Sequence, residues 1–255
     1  MDFRPTLGGR WRRQALDTVW MTTRLNRIVI RLQRARSGEI AHRVRRAYKQ
    51  TLTLLRTIMP IKKIAVIIGS LRKDSLNRKF ANEVIALALP LLSLEIVEIG
   101  GLGLFNEDLE GNGVSTPAEW TQFREIVAPM DGVLFFTPEY NRSVPAVLKN
   151  AIDIGSRPYG ASIWAGKPAA IISVSPGNLG GFGANHHLRQ SIGFLDMPLL
   201  QQPEAYIGGA ANLLGADGKL NDERTRQFLR LFVDAFAVWV ETHGALSKMQ
   251  ERLIA

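Results

Sequence analysis

Ile64–Asn77 reads IAVIIGSLRKDSLN. Its first five residues are apolar at both alternating sets of positions, as in a parallel strand covered by helices on both faces. Gly69 and Ser70 end the run, and helical spacing begins at about Leu76. Loop N–H groups and a helix N-terminus would then converge on an anion. Ser70, Ser75 and Asn77 add short hydrogen-bonding side chains, and Arg72 adds a cation suited to a phosphate or an aromatic plane. The stretch has neither the three glycines of a dinucleotide fingerprint nor the Gly-Lys-Ser/Thr of a triphosphate loop. A dianionic monophosphate is its natural guest; the plainer alternative is a strand-to-helix loop that Ser75 merely caps.

Outward from this segment, short β-branched runs alternate with amphipathic stretches from about residue 61, which predicts parallel strands joined by helices. Strands are expected at Lys63–Ile68, Leu94–Ile99, Gly132–Thr137, Ala169–Val174 and, more weakly, Glu204–Ile207. Helices are expected over Leu76–Leu89, from Thr116-Pro-Ala-Glu119 to about Ala128, and over Val144–Ile154, Ala184–Leu195 and Asp222–Thr242. Thr116 and Glu119 have the spacing of a reciprocal cap, with Pro117 at the first helical position. On the last helix, Phe228, Leu231, Phe232, Ala235, Phe236 and Trp239 form a stripe read as core. Five parallel strands with alternating helices suit a flavodoxin-like doubly wound sheet of order 2-1-3-4-5. Its ligand would lie at the strands' carboxyl ends, beside the switch between strands 1 and 3.

Two further loops fall at that edge. Thr137-Pro-Glu-Tyr-Asn-Arg-Ser-Val-Pro145 follows strand 3, and its two prolines stiffen a loop that presents Glu139, Tyr140 and Asn141. A planar heterocycle with polar edges would fit against its amides and its aromatic face. The plainer alternative is that Ser143 prepares the helix that Pro145 enters and Glu139 is a solvated loop charge; the position of the two loops, after strands 1 and 3 at the switch point, favours the site. After strand 4, Ser173-Val-Ser-Pro-Gly-Asn-Leu-Gly-Gly-Phe-Gly carries four glycines between 177 and 183, permitting close approach and positive φ. His186 and His187 are adjacent, a poor arrangement for one metal on a helix, and read as a polar helix start. No metal site is expected, and no Ser, His and acid set is legible.

Composition limits the chemistry. The 255 residues contain no cysteine, which excludes disulfides, thiol nucleophiles, iron-sulfur clusters and thiolate zinc. Any redox chemistry must come from a bound cofactor. With 46% hydrophobic residues and a mean hydropathy near zero, one sizeable core is expected and no membrane span. The net charge of +9 is unevenly spread. Residues 1–58 hold 14 of the 32 basic and 3 of the 23 acidic residues, a net of +11, leaving the other 197 residues with 18 bases, 20 acids and a net of −2. The division is therefore a basic extension, 1–58, disordered or helical, and a nearly neutral domain, 59–255. No nucleic acid is expected for the domain. In the extension, Leu25, Ile28, Val29 and Leu32 share a face bordered by arginines, so it could contact anionic surfaces. It could also be an organelle presequence, or come from a start upstream of Met59.

GSLRKDSLNRKF, TPEYNRSVPAVLKNAIDIGSR, AGKPAAIISVSPGNLGG and HLRQSIGFLDM together resemble the NADPH-dependent FMN reductase family, in particular its quinone- and chromate-reducing branch. The resemblance spans roughly residues 62–241. It implies non-covalent FMN, with its phosphate held by Ser70, Arg72, Ser75, Leu76 and Asn77. Pro138, Glu139, Tyr140 and Asn141 would lie along the isoalloxazine, with amides of 139–141 at its edge. Ser175 would approach the flavin, and Gly180 and Gly181 would shape a loop on the substrate side. It further implies NADPH or NADH as co-substrate, quinones or similar small acceptors, a homodimer or homotetramer, and a cytoplasmic setting. No side chain is assigned a catalytic role. Asp74, an acid beside the expected dianion, departs from the pattern. Competing expectations are an azo-compound or free-flavin reductase, an electron-carrier flavodoxin, disfavoured because such carriers are strongly acidic, and a non-enzymatic docking module.

Overall fold

The computed structural model describes residues 60–88, 91–111, 113 and 115–254, with side chains to 244. Pro60–Ala255 forms one compact unit. The expectations for the basic extension lie outside the described residues. Strands β1 (Lys62–Ile68), β2 (Leu92–Val97), β3 (Gly132–Thr137), β4 (Ala169–Val174) and β5 (Ala205–Ile207) alternate with helices α1 (Leu76–Leu87), α2 (Ala118–Val127), α3 (Ala146–Gly155), α4 (Phe182–Phe194) and α5 (Glu223–Ile254). The sheet order is β2-β1-β3-β4-β5 with every neighbouring pair parallel, the doubly wound arrangement expected from the pattern.

Strand pleating sends alternate residues to two cores. Ala65, Ile67, Val133, Phe135, Ala169 and Ile171 pack with Trp120 and Phe123 of α2, Leu148 and Ile152 of α3, and Leu188 and Ile192 of α4. The intervening Ile64, Val66, Leu134, Phe136, Ala170 and Ile172 are equally buried and point to the opposite face, where α1 packs on α5. Both sets must be apolar, which is why these strands read as continuous hydrophobic runs.

Several boundaries differ from expectation, each for a local reason. β2 lies two residues earlier because its pairing with β1 begins at Lys62↔Leu92. The α2 cap is not the expected one: Pro117 is the flanking residue, extended at φ −50° and ψ 131°, and makes no side-chain cap. Thr116 is thereby moved one position too far out to reach the first turn. α4 starts two residues early because Gly181, at φ 75°, turns the chain into it. α5 runs twelve residues past Thr242, and its buried stripe is Leu229, Phe232, Val233, Phe236, Ala237 and Val240. Phe228, Leu231, Ala235 and Trp239 are only half-buried, so the true core face is rotated from the expected one. The expected end of α1 at Leu89 lies outside the described residues. Among those residues no helix is long and apolar enough to cross a membrane.

Candidate functional site at the carboxyl edge of the sheet

β1, β3 and β4 are neighbours, so the loops that follow them meet at one edge. The first is tied to β3 at its outset: the Gly69 N–H donates to Phe136 O at 2.8 Å. A Cβ on Gly69 would lie 3.0 and 3.1 Å from Leu148 atoms, so α3's close approach explains the glycine. Ser70 is buried, whereas Arg72, Lys73 and Asp74 are exposed. The Ser75 N–H donates back to Arg72 O at 3.1 Å, closing a turn. Ser75 then caps α1, its hydroxyl oxygen accepting the Arg78 N–H at 3.2 Å. That hydroxyl still has its own proton to donate, so capping and anion binding are compatible.

The charges of this loop are sorted by pairing. Arg78 makes a bidentate bond to Glu98 at 2.8 and 2.7 Å. The bond raises the pKa of the guanidinium and lowers that of the carboxyl. Arg72 makes no ion pair among the described residues, and stands with Lys73 as available positive charge beside the helix N-terminus. Asn77 is 3% exposed; its Nδ2 donates to Val174 O at 3.2 Å, bridging α1 to the end of β4. Its Oδ1 is buried with no hydrogen-bond partner. Leu76, half-buried, lines a cavity of about 350 Å³ with Lys79, Ala211 and the 214–218 turn.

The loop after β3 is more rigid than two prolines would make it. Tyr140 N–H donates to Ser143 O and Ser143 N–H to Tyr140 O, at 3.1 and 2.9 Å. Asn141 and Arg142 between them have φ of 51° and 65°. This is the mirror-image turn of tight hairpins, disfavoured for Arg and tolerated by Asn. It projects Tyr140, 48% exposed, from the edge. The turn occupies the Tyr140 N–H, one of the three amides expected at a ligand's edge. Glu139 is no solvated loop charge: its side chain is 12% exposed and accepts the Arg142 guanidinium at 3.1 Å and the Ala184 N–H at 3.1 Å. Pro138 is half-buried, and the buried Thr137 hydroxyl donates to its carbonyl at 2.7 Å.

After β4, Ser175 holds two elements: its N–H donates to Ile207 O at 3.0 Å, and its hydroxyl accepts the Gly177 N–H at 3.1 Å. Gly180 and Gly181 have φ of 61° and 75°. A Cβ on Gly180 would come within 2.7 Å of the Tyr206 carbonyl carbon, and one on Gly181 within 3.0 Å of Ser173. Both glycines are thus required by packing of the loop on β5 and β4. Beneath them Asn185, fully buried, donates to Ser173 Oγ at 3.3 Å and accepts from Arg189 at 3.0 Å. His186 and His187 separate: His186 Nε2 meets the Tyr206 hydroxyl, and His187 Nδ1 meets Ser143 Oγ, each at 3.1 Å. Burial raises the Tyr206 phenol, with Glu204 adding to the effect. Asn185, Gly183 and the Glu139–Ala184 bond escaped the sequence reading; only the glycine run hinted at them.

The loops after β1, β3 and β4 therefore lie along one edge of the sheet. A family model described as NADPH-dependent FMN reductase matches residues 62–212. A quinone reductase of Pseudomonas putida is 60% identical over 183 residues, covering 72% of this chain and 97% of that protein. A 2-hydroxy-1,4-benzoquinone reductase of Burkholderia sp. is 45% identical over 178 residues, covering 70% and 96%. Among solved structures, the flavoenzyme NAD(P)H:(acceptor) oxidoreductase FerB of Paracoccus denitrificans is 43% identical with a TM-score of 0.67, covering 72% of this chain and 99% of its own.

Proposed function

The chain belongs to the NADPH-dependent FMN reductase family, and from that premise we propose that residues 59–255 are its FMN-binding domain and that the edge site holds the flavin. The protein is an NAD(P)H-dependent oxidoreductase acting on quinones or similar small acceptors. When bound, FMN would supply the redox chemistry between the nicotinamide and the acceptor. The side chains bind and orient; none is asked to be a nucleophile.

The observation that carries this reading is Asn77. A buried amide oxygen without a partner costs roughly 1–3 kcal/mol, and it calls for a hydrogen-bond donor. FMN has donors of that kind in its ribityl hydroxyls, and next to them one phosphate that needs cations and N–H groups. Arg72, the hydroxyls of Ser70 and Ser75, and the N-terminus of α1 at Leu76 meet the second need. A single terminal phosphate requires a nest of donors; the close-packed glycine turn of a dinucleotide fold serves a pyrophosphate. Pro138, Glu139, Tyr140 and Asn141 form the rigid turn along which the ring would lie. Ser175 approaches it from β4, and Gly180 and Gly181 shape the acceptor side. The reading extends to a homodimer or homotetramer and to the cytoplasm.

Purified full-length protein should be yellow and should oxidise NADPH or NADH in the presence of a benzoquinone. Colourless protein that cannot be reconstituted with FMN would overturn the assignment. Rates with quinones, an azo dye, chromate and free FMN, measured with each nicotinamide, would rank the acceptors. Sedimentation velocity would give the assembly state.

A further inference from the structure

Glu139 lies in the turn assigned above to the flavin ring, yet both of its carboxylate oxygens are engaged within the protein. Oε2 accepts the Ala184 N–H and Oε1 accepts Nη1 of Arg142, both at 3.1 Å. Helix α4 has no side-chain cap of its own, since its N-cap residue is Gly181. Ala184 is the third residue of that helix. The bond it donates to Glu139 is the one a capping Ser or Asp would ordinarily accept, and it sets a negative charge at the positive end of the helix dipole. Gly183 makes the approach possible: a Cβ there would stand 3.0 Å from Glu139 Oε2 and 2.9 Å from Arg142 O. A second link, His187 Nδ1 to Ser143 Oγ at 3.1 Å, joins the same turn to the same helix.

We infer that Glu139 is a positioning residue, capping α4 from the end of β3 and so fixing the height and tilt of Tyr140. Its importance to turnover rests on the reading that this turn borders the flavin. The clamp itself does not. Glu139 acts through the turn it holds, both of its carboxylate oxygens being engaged within the protein.

The test uses the full-length chain with Glu139→Ala, Glu139→Gln and Gly183→Ala, each followed by backbone hydrogen exchange without FMN and by flavin circular dichroism and steady-state kinetics with it. In Glu139→Ala, exchange in 140–143 and 182–185 should quicken about fivefold, the expected result of losing a cap. With FMN bound, the visible dichroism should change and kcat/KM for a benzoquinone should fall about tenfold, the scale of a misplaced reaction partner. Glu139→Gln keeps an oxygen for Ala184 and should return exchange to within about twofold of wild type, with most of kcat/KM restored. Gly183→Ala leaves Glu139 in the chain but displaces its carboxylate, and should reproduce the faster exchange.

Unchanged exchange in both Glu139→Ala and Gly183→Ala would overturn the clamp. So would a Glu139→Gln protein with wild-type exchange but the dichroism and turnover of Glu139→Ala, since the charge would then act on the flavin directly. If the wild type binds no FMN, the assigned function fails while the exchange measurements still decide the clamp.

Discussion

Arg72 and Asp74 differ by two positions and should differ in sign of effect. Arg72 offers a guanidinium with no ion pair among the described residues, beside a helix N-terminus, and charge-assisted bonds to phosphate contribute about 1.5–3 kcal/mol. Arg72→Ala should weaken FMN binding by roughly tenfold to a hundredfold, measured by fluorescence titration. Asp74 is exposed, so its repulsion is screened: Asp74→Asn should tighten FMN by no more than about threefold, and the gain should shrink with added salt. A different residue-scale effect is expected at Gly155, where a Cβ would fall 2.4–2.6 Å from atoms of the fully buried Trp164 ring. That indole is also held by its bond to Ile152 O at 2.9 Å. Gly155→Ala should therefore cost about 1–3 kcal/mol despite the better helix former, lowering Tm by several degrees in a melt. Ser70, Ser75 and Arg72 could be singled out from the sequence, because residue type alone reports what a phosphate needs. The reason for Gly155 was not, since Trp164 reaches it only once α3 has packed.

At the scale of elements, helix ends separate what is local from what is not. Ser75 and Asp222 cap α1 and α5 from positions adjacent in sequence, Asp222 accepting the Thr225 N–H at 2.7 Å. The carboxyl end of α2 is instead finished by Lys167, from the segment before β4, donating to Ala128 O at 3.0 Å and Met130 O at 2.6 Å. Burial holds the Lys167 ammonium below its ordinary 10.5, partly opposed by Asp131. The folded chain then sheds this proton before the unfolded chain does. Between the depressed value and 10.5 the unfolded state binds more protons, so this group's contribution to stability rises with pH across that window. It is complete only above 10.5 and absent below the depressed value. Lys167→Met should flatten that alkaline rise relative to wild type in urea unfolding from about pH 7 to about pH 10. It should also cost about 1 kcal/mol at neutral pH by removing two carbonyl partners. The α2 start shows the converse, a reciprocal cap written in the sequence that Pro117's extended backbone prevents from forming.

The described residues hold one sheet, and FMN binding at its carboxyl edge should register on the whole of it. FMN at about a hundredfold over its dissociation constant should stabilise the fold by about 2.7 kcal/mol, seen as a rise of several degrees in Tm that inorganic phosphate alone reproduces weakly. Deleting residues 1–58 should leave the flavin spectrum and quinone turnover within about twofold of the full chain, because the family match lies within residues 62–212. The sequence by itself determined the alternation of strands and helices, the two buried faces of the sheet and the residue types of the loop after β1. Those follow from hydrophobic period and residue type, which act over a few positions. Only the tertiary structure decided that Glu139 caps a helix 45 positions away, that Asn77 spans from α1 to β4, and that Asn141 and Arg142 take left-handed conformations to aim Tyr140. Contacts between strand ends depend on how the sheet brings them together, and no local pattern encodes that distance. IAVIIGSLRKDSLN offers the residue types of an anion site by itself; that the Asn77 amide is tied to the end of β4 was decided only by the fold.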